Sequence, residues 1–408
     1  MKIALIGDVN SLFIKQQAKT WQSMGLNVEI ISYHTELDSF DNIIVRSSFY
    51  SEPKWFYFRG VALKKFLNYT ESIIYFLFKK RYESAMSTAK NEKISFAHSL
   101  MSARSVARLI KTSDFDAVYI HDVFAFGFVS YLLRKTAIKK IVFPWGGDIF
   151  MYMHTSFAAN IIVRKSIKYA DFVCPTSKVA EKYIIDNFSI KKEGCVEGVS
   201  WGVDTQYLDS IIPNKEVYKK YSIPEDKIIV FNIRRFLPSW GSKQVFDAFL
   251  ELAKKRDDLH FVLIGNSNSE EHFKEPKLNC SDNNVNDKFT IIEQNIDFKD
   301  FISILKISTI GTSFMIERDM RSFSIIQAFY CGSYPILSNQ EEYHSFRELG
   351  LNYSLIEINS ELLISEIENV LKRSKEVNEI TIENSKAISV YEDSLKNQKY
   401  IISKIRRI

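Results

Sequence analysis

"MKIALIGDVNSLFIKQQAKTWQSMGLNVEIIS", residues 1–32, reads as a short apolar strand, a turn at Gly7–Asp8, an amphipathic helix, a stop at Gly25 and a second apolar strand. That order is a βα unit feeding a parallel strand. Strands this continuously apolar are covered on both faces, as in a doubly wound sheet.

The pattern returns along the chain. "FDAVYIHD", "KKIVFPWGGDI" and "ADFVCPTS" are further strands, with the helical segments "AFGFVSYLLRK" and "NIIVRKSIKY" between them. After about Asp204 a second series begins: "DKIIVFNIRRF", the helix "KQVFDAFLELAKKR", then "HFVLIGNS", "FTIIEQN", "ISTIGTSF", a helix from about Ser324, "SYPILS" and "YSLIEI". At 408 residues the chain exceeds one ordinary core, so two domains are expected. The architecture is α/β, with two Rossmann-like domains facing across a cleft. The loop "VSWGVDTQYLDSIIPNKE" sets the boundary: residues 1–205 form the first domain and 206–385 the second. The last helix, about 386–408, is expected to pack back on the first. In open parallel sheets ligands bind at the carboxyl ends of the strands, so functional residues are sought there.

Composition narrows the class. With 46% hydrophobic and 25% charged residues the chain can fill its cores, which argues against long disordered segments. A net charge of +5 suits an anionic ligand or surface but falls short of the basic stripe of a nucleic-acid binder. Cys174, Cys195, Cys280 and Cys331 show no CxxC spacing, which favours reduced thiols and a cytoplasmic protein. Neither a signal-peptide core nor a membrane-spanning apolar run is evident in the sequence.

Residues 47–100 interrupt the first series with "WFYFRGVALKKFLNYTESIIYFLFKKRYE". Between Lys54 and Arg81 there are seven basic residues and one acid, Glu71. Cations with interleaved aromatics suit a peripheral contact with an anionic membrane, at the inner face of the plasma membrane. An ordinary domain helix with solvated lysines gives the same pattern.

"RDMRSFSIIQAFYCGSYPILS", residues 318–338, carries the chemistry of the second series. A strand ends near Phe314, a loop follows, and a helix starts near Ser324, leaving backbone N–H groups without intrahelical partners. Such an end attracts anions, and a phosphate there gains hydrogen bonds and the favourable end of the helix dipole. Ser322, Phe323 and Ser324 would line it, and Gln327, one turn inward, would offer its amide to a ribose or sugar hydroxyl. A plain serine N-cap with a solvent-facing glutamine fits the same residues.

Asp319 and Gln327 stand eight apart, and "AFYCGSYPILS" follows. This resembles the signature of retaining family 4 glycosyltransferases of the GT-B fold (glycosyl transferases group 1), in which two glutamates eight apart precede such a run. "RRFLPSWG" is similar to the family's arginine and lysine-glycine loop. "HFVLIGNS" is similar to its strand ending in glycine, where Gly265 and Asn266 would meet the donor. "ADFVCPTSKVAEKYI" and "WGVDTQYL" resemble its interdomain markers, and the matches run in order from residue 1 to about 375. The resemblance implies transfer of a sugar from a nucleotide-sugar to an acceptor with retention, by a hexosyltransferase; the basic aromatic segment at 54–81 points to a glycan or lipid-linked acceptor in surface polysaccharide biosynthesis, with a soluble acceptor the alternative. The departures matter: Asp319 shortens the first acid, Gln327 replaces the second, and the lysine position falls on Trp240, with Lys243 its nearest substitute.

On that resemblance Asp319, Arg235 and Lys243 are the expected catalytic residues. Of the neighbours Arg234 and Arg235, strand alternation lets only one face the ligand. Fixed cations and helix-end N–H groups stabilise a leaving diphosphate without rearrangement. His121, Trp145, Gly147 and Asp148, at the ends of two first-domain strands, are the expected acceptor contacts. No acid-rich cluster suggests a metal, and no cofactor is expected beyond the nucleotide-sugar substrate. The altered acid positions also motivate an alternative, a catalytically silent GT-B subunit that binds glycan or nucleotide.

Overall fold

The first strand, β1 (Lys2–Ile6), is buried from Ile3 onward and is followed by the helix Leu12–Ser23. Gly25, at φ 77°, then turns the chain into β2 (Asn27–Ser32) in a conformation other residues adopt only under strain. β1 and β2 pair in parallel, Ile3 opposite Val28 and Ile6 opposite Ile31. β3 (Ser39–Phe40), β4 (Ile43–Ser47), β5 (Ala117–His121), β6 (Lys139–Phe143) and β7 (Phe172–Val173) complete a sheet of order β3-β4-β2-β1-β5-β6-β7. Only the β3–β4 pair is antiparallel. The strand order reverses between β1 and β5, whose carboxyl ends are Ile6 and His121.

This is a computed structural model, and it describes the chain apart from residues 10, 33–38, 41–42, 48–95, 122, 124–125, 151, 155–156, 191–194, 214, 238–239, 266–269, 317 and 319–321. The basic aromatic stretch at 54–81, Asn266 and Asp319 therefore lie outside the described residues.

The second sheet holds β8 (Ile228–Arg235), β9 (Leu259–Ile264), β10 (Phe289–Ile292), β11 (Ser308–Ser313), β12 (Tyr334–Ser338) and β13 (Ser354–Ile356). Its order is β10-β9-β8-β11-β12-β13, parallel throughout, with the reversal between β8 and β11. Alternate residues feed two cores. Ile229, Phe231 and Ile233 of β8, with Val262 and Ile264 of β9, join one cluster with Phe301, Ile304, Ile326 and Phe329. Val230, Leu259, Phe261 and Leu263 join another with Val245, Phe249, Leu363 and Ile367. A period of two with both faces apolar is what a sheet covered by helices on each side requires. Each fully buried large side chain in these layers contributes roughly 1.5–3 kcal/mol.

The helix Phe323–Cys331 is held from behind by burial of Ile325, Ile326, Ala328 and Phe329, and it packs on the helices Phe298–Ile307 and Ser374–Tyr391. Gly332 ends it at φ 87°, with the Ser333 N–H donating to the Ala328 carbonyl, and the chain passes directly into β12. The helix is thereby fixed at its carboxyl end, with its amino end at the mouth of the β8–β11 reversal.

The chain divides into two compact units, Met1–Val199 with Gln398–Ile408, and Ser200–Asn397. The C-terminal region is not one helix from 386 onward. The helix Ser374–Tyr391 belongs to the second unit through Ile388, and only the later part of the helix Ser394–Arg407 belongs to the first. There Lys404 and Tyr400 engage Glu197, and Lys139 donates to the Ile405 carbonyl at 3.0 Å. Among the described residues no helix is long and apolar enough to cross a membrane.

Candidate functional site

The carboxyl end of β8 is irregular. Asn232 faces Leu263 of β9 and Arg235 faces Ile264, so two residues, Ile233 and Arg234, stand against none on the partner strand. Bulges of this kind re-aim a side chain, and here the side chain is Arg234. Its Nη1 donates to Ser322 Oγ at 2.5 Å and its Nη2 to Met315 Sδ at 3.2 Å. The guanidinium carbon lies 4.8 Å from the centre of the Trp240 ring. Met315 follows β11, and its own N–H donates to Ser338 Oγ at 3.1 Å while its carbonyl accepts from Gln340 Nε2. Arginine, sulfur and serine thus meet where the strand order reverses.

Ser322 stands at the N-cap of the helix Phe323–Cys331, yet its side chain makes no capping hydrogen bond. Its hydroxyl accepts from Arg234 and pairs with Ser324 Oγ at 2.9 Å. A capping serine ordinarily satisfies an N–H of the first turn; here the hydroxyl is spent on the arginine, and the first-turn N–H groups of Ser324 and Ile325 have no partner among the described residues. Gln327, three residues on from Ser324 and so its neighbour on the helix surface, is 7% exposed. No hydrogen bond from the described residues reaches its amide, and the amide is not among the buried polar atoms left without a partner. Phe323 packs its ring on Trp201 at 5.5 Å.

The set expected from the sequence is only partly brought together. Ser322, Ser324 and Gln327 share the helix end. Arg235 is exposed at its surface, and among the described residues no hydrogen bond ties it to the serines; burial and the adjacent Arg234 charge both lower its pKa, so the two guanidiniums stay near one another while Arg234 reaches Ser322. Lys243 is 56% exposed and pairs with Glu275 at 3.1 Å and Asp247 at 3.7 Å, away from the serines. The turn Trp240–Gly241 separates it from the bulge, so the helix Ser242–Lys255 presents it elsewhere. Gly265 is buried at the end of β9 and donates its N–H to the Ile292 carbonyl at 2.7 Å, a strand-end role. Among the described residues no group of three or more His, Cys, Asp or Glu is placed to hold a metal ion.

In the first unit, Asp148 is 1% exposed and uses both oxygens on backbone: Oδ2 accepts from the Val123 N–H at 2.7 Å and Oδ1 from the Trp145 N–H at 2.6 Å. It ties the segments after β5 and β6 together, so its carboxylate serves the fold and does not open toward an acceptor. Trp145 is half-buried between Phe13, 6.0 Å away, and His121, 5.8 Å away. Gly147 begins the short helix Gly147–Phe150 beside it.

His121 is also buried, at 1% exposure, among Tyr119, Phe143 and Trp145. Its protonation follows from donor–acceptor chemistry. Trp21 Nε1 can only donate, so the Gln398 atom 2.7 Å from it is the carbonyl oxygen. The Gln17 atom 3.3 Å from that oxygen must then be the amide nitrogen. Gln17 consequently turns its own oxygen to His121 Nε2, 2.6 Å away, and Nε2 carries the proton. Burial holds the imidazole well below its ordinary 6.5, so it is neutral. Nothing in sequence spacing linked Gln17, Trp21 and Gln398; the return of the C-terminal helix makes the chain of bonds. His121 is thus a buried, oriented group and not an exposed acceptor contact.

Three comparisons with known proteins follow from this geometry. Residues 214–387, which lie within the second unit, match the model of the glycosyl transferases group 1 family. An uncharacterized glycosyltransferase of Methanocaldococcus jannaschii is 24% identical over 296 residues, 70% of each chain. Sucrose-phosphate synthase from Thermosynechococcus elongatus superimposes with a TM-score of 0.74 at 13% identity, over 100% of this chain and 98% of that one. Anabaena HepE in complex with UDP and glucose gives 0.73 at 14%, over 100% of both. These likenesses show the fold, two Rossmann-like domains of the GT-B type.

The bond chain in the first unit predicts a signature. Two-bond proton–nitrogen spectra of histidine-labelled protein should show His121 protonated on Nε2 and bare on Nδ1, unchanged between pH 8 and pH 6. In Trp21→Phe the donor that orients Gln398 is gone, and a mixture of tautomers should appear. A wild-type His121 protonated on Nδ1 alone would contradict the derivation. Because the unfolded chain protonates this histidine near 6.5 and the native one only at lower pH, its contribution to stability is fully present above 6.5 and lost progressively as pH falls from there toward the lower native value.

Proposed function

We propose that the chain transfers a hexosyl group from a nucleotide-sugar to a glycan or lipid-linked acceptor, with retention at the anomeric carbon, in assembly of a surface polysaccharide. The observation that carries this reading is the Arg234–Ser322–Ser324 cluster at an uncapped helix end. A diphosphate seated there would meet a fixed guanidinium, serine hydroxyls and first-turn N–H groups, all of which stabilise the charge that grows on the leaving group without rearranging. No divalent ion is needed for that task. Gln327 would hydrogen-bond a ribose or sugar hydroxyl through its amide, more weakly than a carboxylate would. The UDP and glucose held by Anabaena HepE make a UDP-sugar the first donor to test. Retention rests on the resemblance to family 4 enzymes.

Arg234→Ala should weaken UDP binding by at least tenfold in titration calorimetry, since a hydrogen bond to a charged group contributes about 1.5–3 kcal/mol, and should abolish turnover of the preferred donor. Arg235→Ala and Lys243→Ala should leave binding within about twofold. Equal losses in all three variants, or none, would remove Arg234 from the site.

The neutral Gln327 favours one second reading, a silent subunit that binds a nucleotide-sugar without turning it over. Wild-type protein that binds UDP-sugars yet shows neither transfer nor hydrolysis with any donor would decide for it.

The lipid-linked acceptor is supported by the charge of residues 54–81, which suits anionic headgroups at a cytoplasmic membrane face. Replacing Lys64, Lys65, Lys79 and Lys80 by Gln should reduce co-sedimentation with anionic liposomes several-fold; unchanged sedimentation would leave a soluble acceptor.

A further inference from the structure

Position 240 carries the largest departure from the glycosyltransferase pattern. A basic residue is expected beside the phosphate site, and the chain has an indole. The structure gives this indole a specific neighbour: the Arg234 guanidinium carbon lies 4.8 Å from the ring centre, within the range of a favourable cation–π contact. The ring is only half-buried and packs against the second-unit core that contains Ile233 and Met315. It is therefore anchored on one side by apolar burial and presents its face to the cation on the other.

We propose that Trp240 is the positioning residue for Arg234. The inference rests on the reading of Arg234 as the diphosphate-binding cation. An arginine side chain loses roughly 2 kcal/mol of rotamer freedom when fixed, and a residue in a strand bulge has no ladder to restrain it. Trp240 supplies that restraint before the ligand arrives. Met315 acts with it: a thioether is a weak acceptor, so its hold on Nη2 keeps the fork aligned, and an anionic phosphate oxygen readily displaces it. A lysine at 240 would repel Arg234 and contribute a second charge. The indole instead makes the Arg234 guanidinium rigid, so affinity comes from alignment and not from added charge.

The test is a double-mutant cycle with UDP as the probe, in the full-length chain. Trp240→Leu keeps the apolar anchor and removes the π face. UDP affinity should fall by about tenfold, in line with a partly desolvated cation–π contact, with Trp240→Phe restoring most of it. In an Arg234→Met background the Trp240→Leu change should cost less than twofold, because the partner it positions is already gone. Equal costs in both backgrounds would overturn the proposal and make Trp240 a packing residue. A second readout needs no nucleotide. The Arg234 Nε–H resonance, assigned by its disappearance in Arg234→Met, should be shifted by the ring current in wild-type protein and move to the position of solvated arginines in Trp240→Leu. An Arg234 signal that Trp240→Leu leaves unmoved would overturn the proposal whatever the nucleotide results. A wild-type chain that binds no UDP while this signal does move would strike the donor-site reading and leave the positioning intact.

Discussion

The second unit depends on one contact, the hydrogen bond from Arg234 to Ser322, which joins the end of β8 to the start of the helix Phe323–Cys331. Either partner alone would be unremarkable: a strand-end arginine is commonly solvated, and an N-cap serine commonly caps. Together they cancel both ordinary roles. The serine gives its hydroxyl to the guanidinium and leaves the helix end uncapped, while the arginine is drawn from solvent to the point where the strand order reverses. Apolar burial of Ile325, Ile326 and Phe329 keeps the helix from shifting to recover its cap. The site is thus held by the core behind it.

The two sheets share an order, apart from the short antiparallel β3, and both place polar groups at the reversal, but they use them differently. In the second unit Arg234 reaches Ser322, Ser322 pairs with Ser324, and the helix end is left without a side-chain cap. In the first unit Asp148 and His121 are turned inward, the one onto two backbone N–H groups and the other onto Gln17. The same topology therefore carries an uncapped helix end in one unit and a braced strand end in the other, and the difference lies in where each hydrogen bond goes.

Much of this was legible in the sequence. Apolar strands alternating with amphipathic helices gave both sheets, since covering a strand on two faces leaves a continuous hydrophobic run. The helix starting beside Ser324 and the glycine at its end followed from local backbone preferences. Sequence reasoning chooses Arg235 of the two adjacent arginines, whereas it is Arg234 that reaches Ser322. Strand alternation says that only one can, but a bulge in β8 decides which, and a bulge has no residue signature here. Lys243 stands three positions from the family's lysine position at Trp240, and in the structure it pairs with the carboxylates Glu275 and Asp247. The Trp21–Gln398–Gln17–His121 chain spans most of the sequence and depends on tertiary packing that no local pattern encodes.

The most direct measurement is a crystal structure of the chain with UDP bound. The account predicts phosphate oxygens within hydrogen-bond distance of the Arg234 guanidinium and of the Ser324 N–H, Met315 displaced from the arginine, and a ribose hydroxyl on the Gln327 amide. A diphosphate held by Arg235 or Lys243, with Arg234 still resting on Met315, would contradict it.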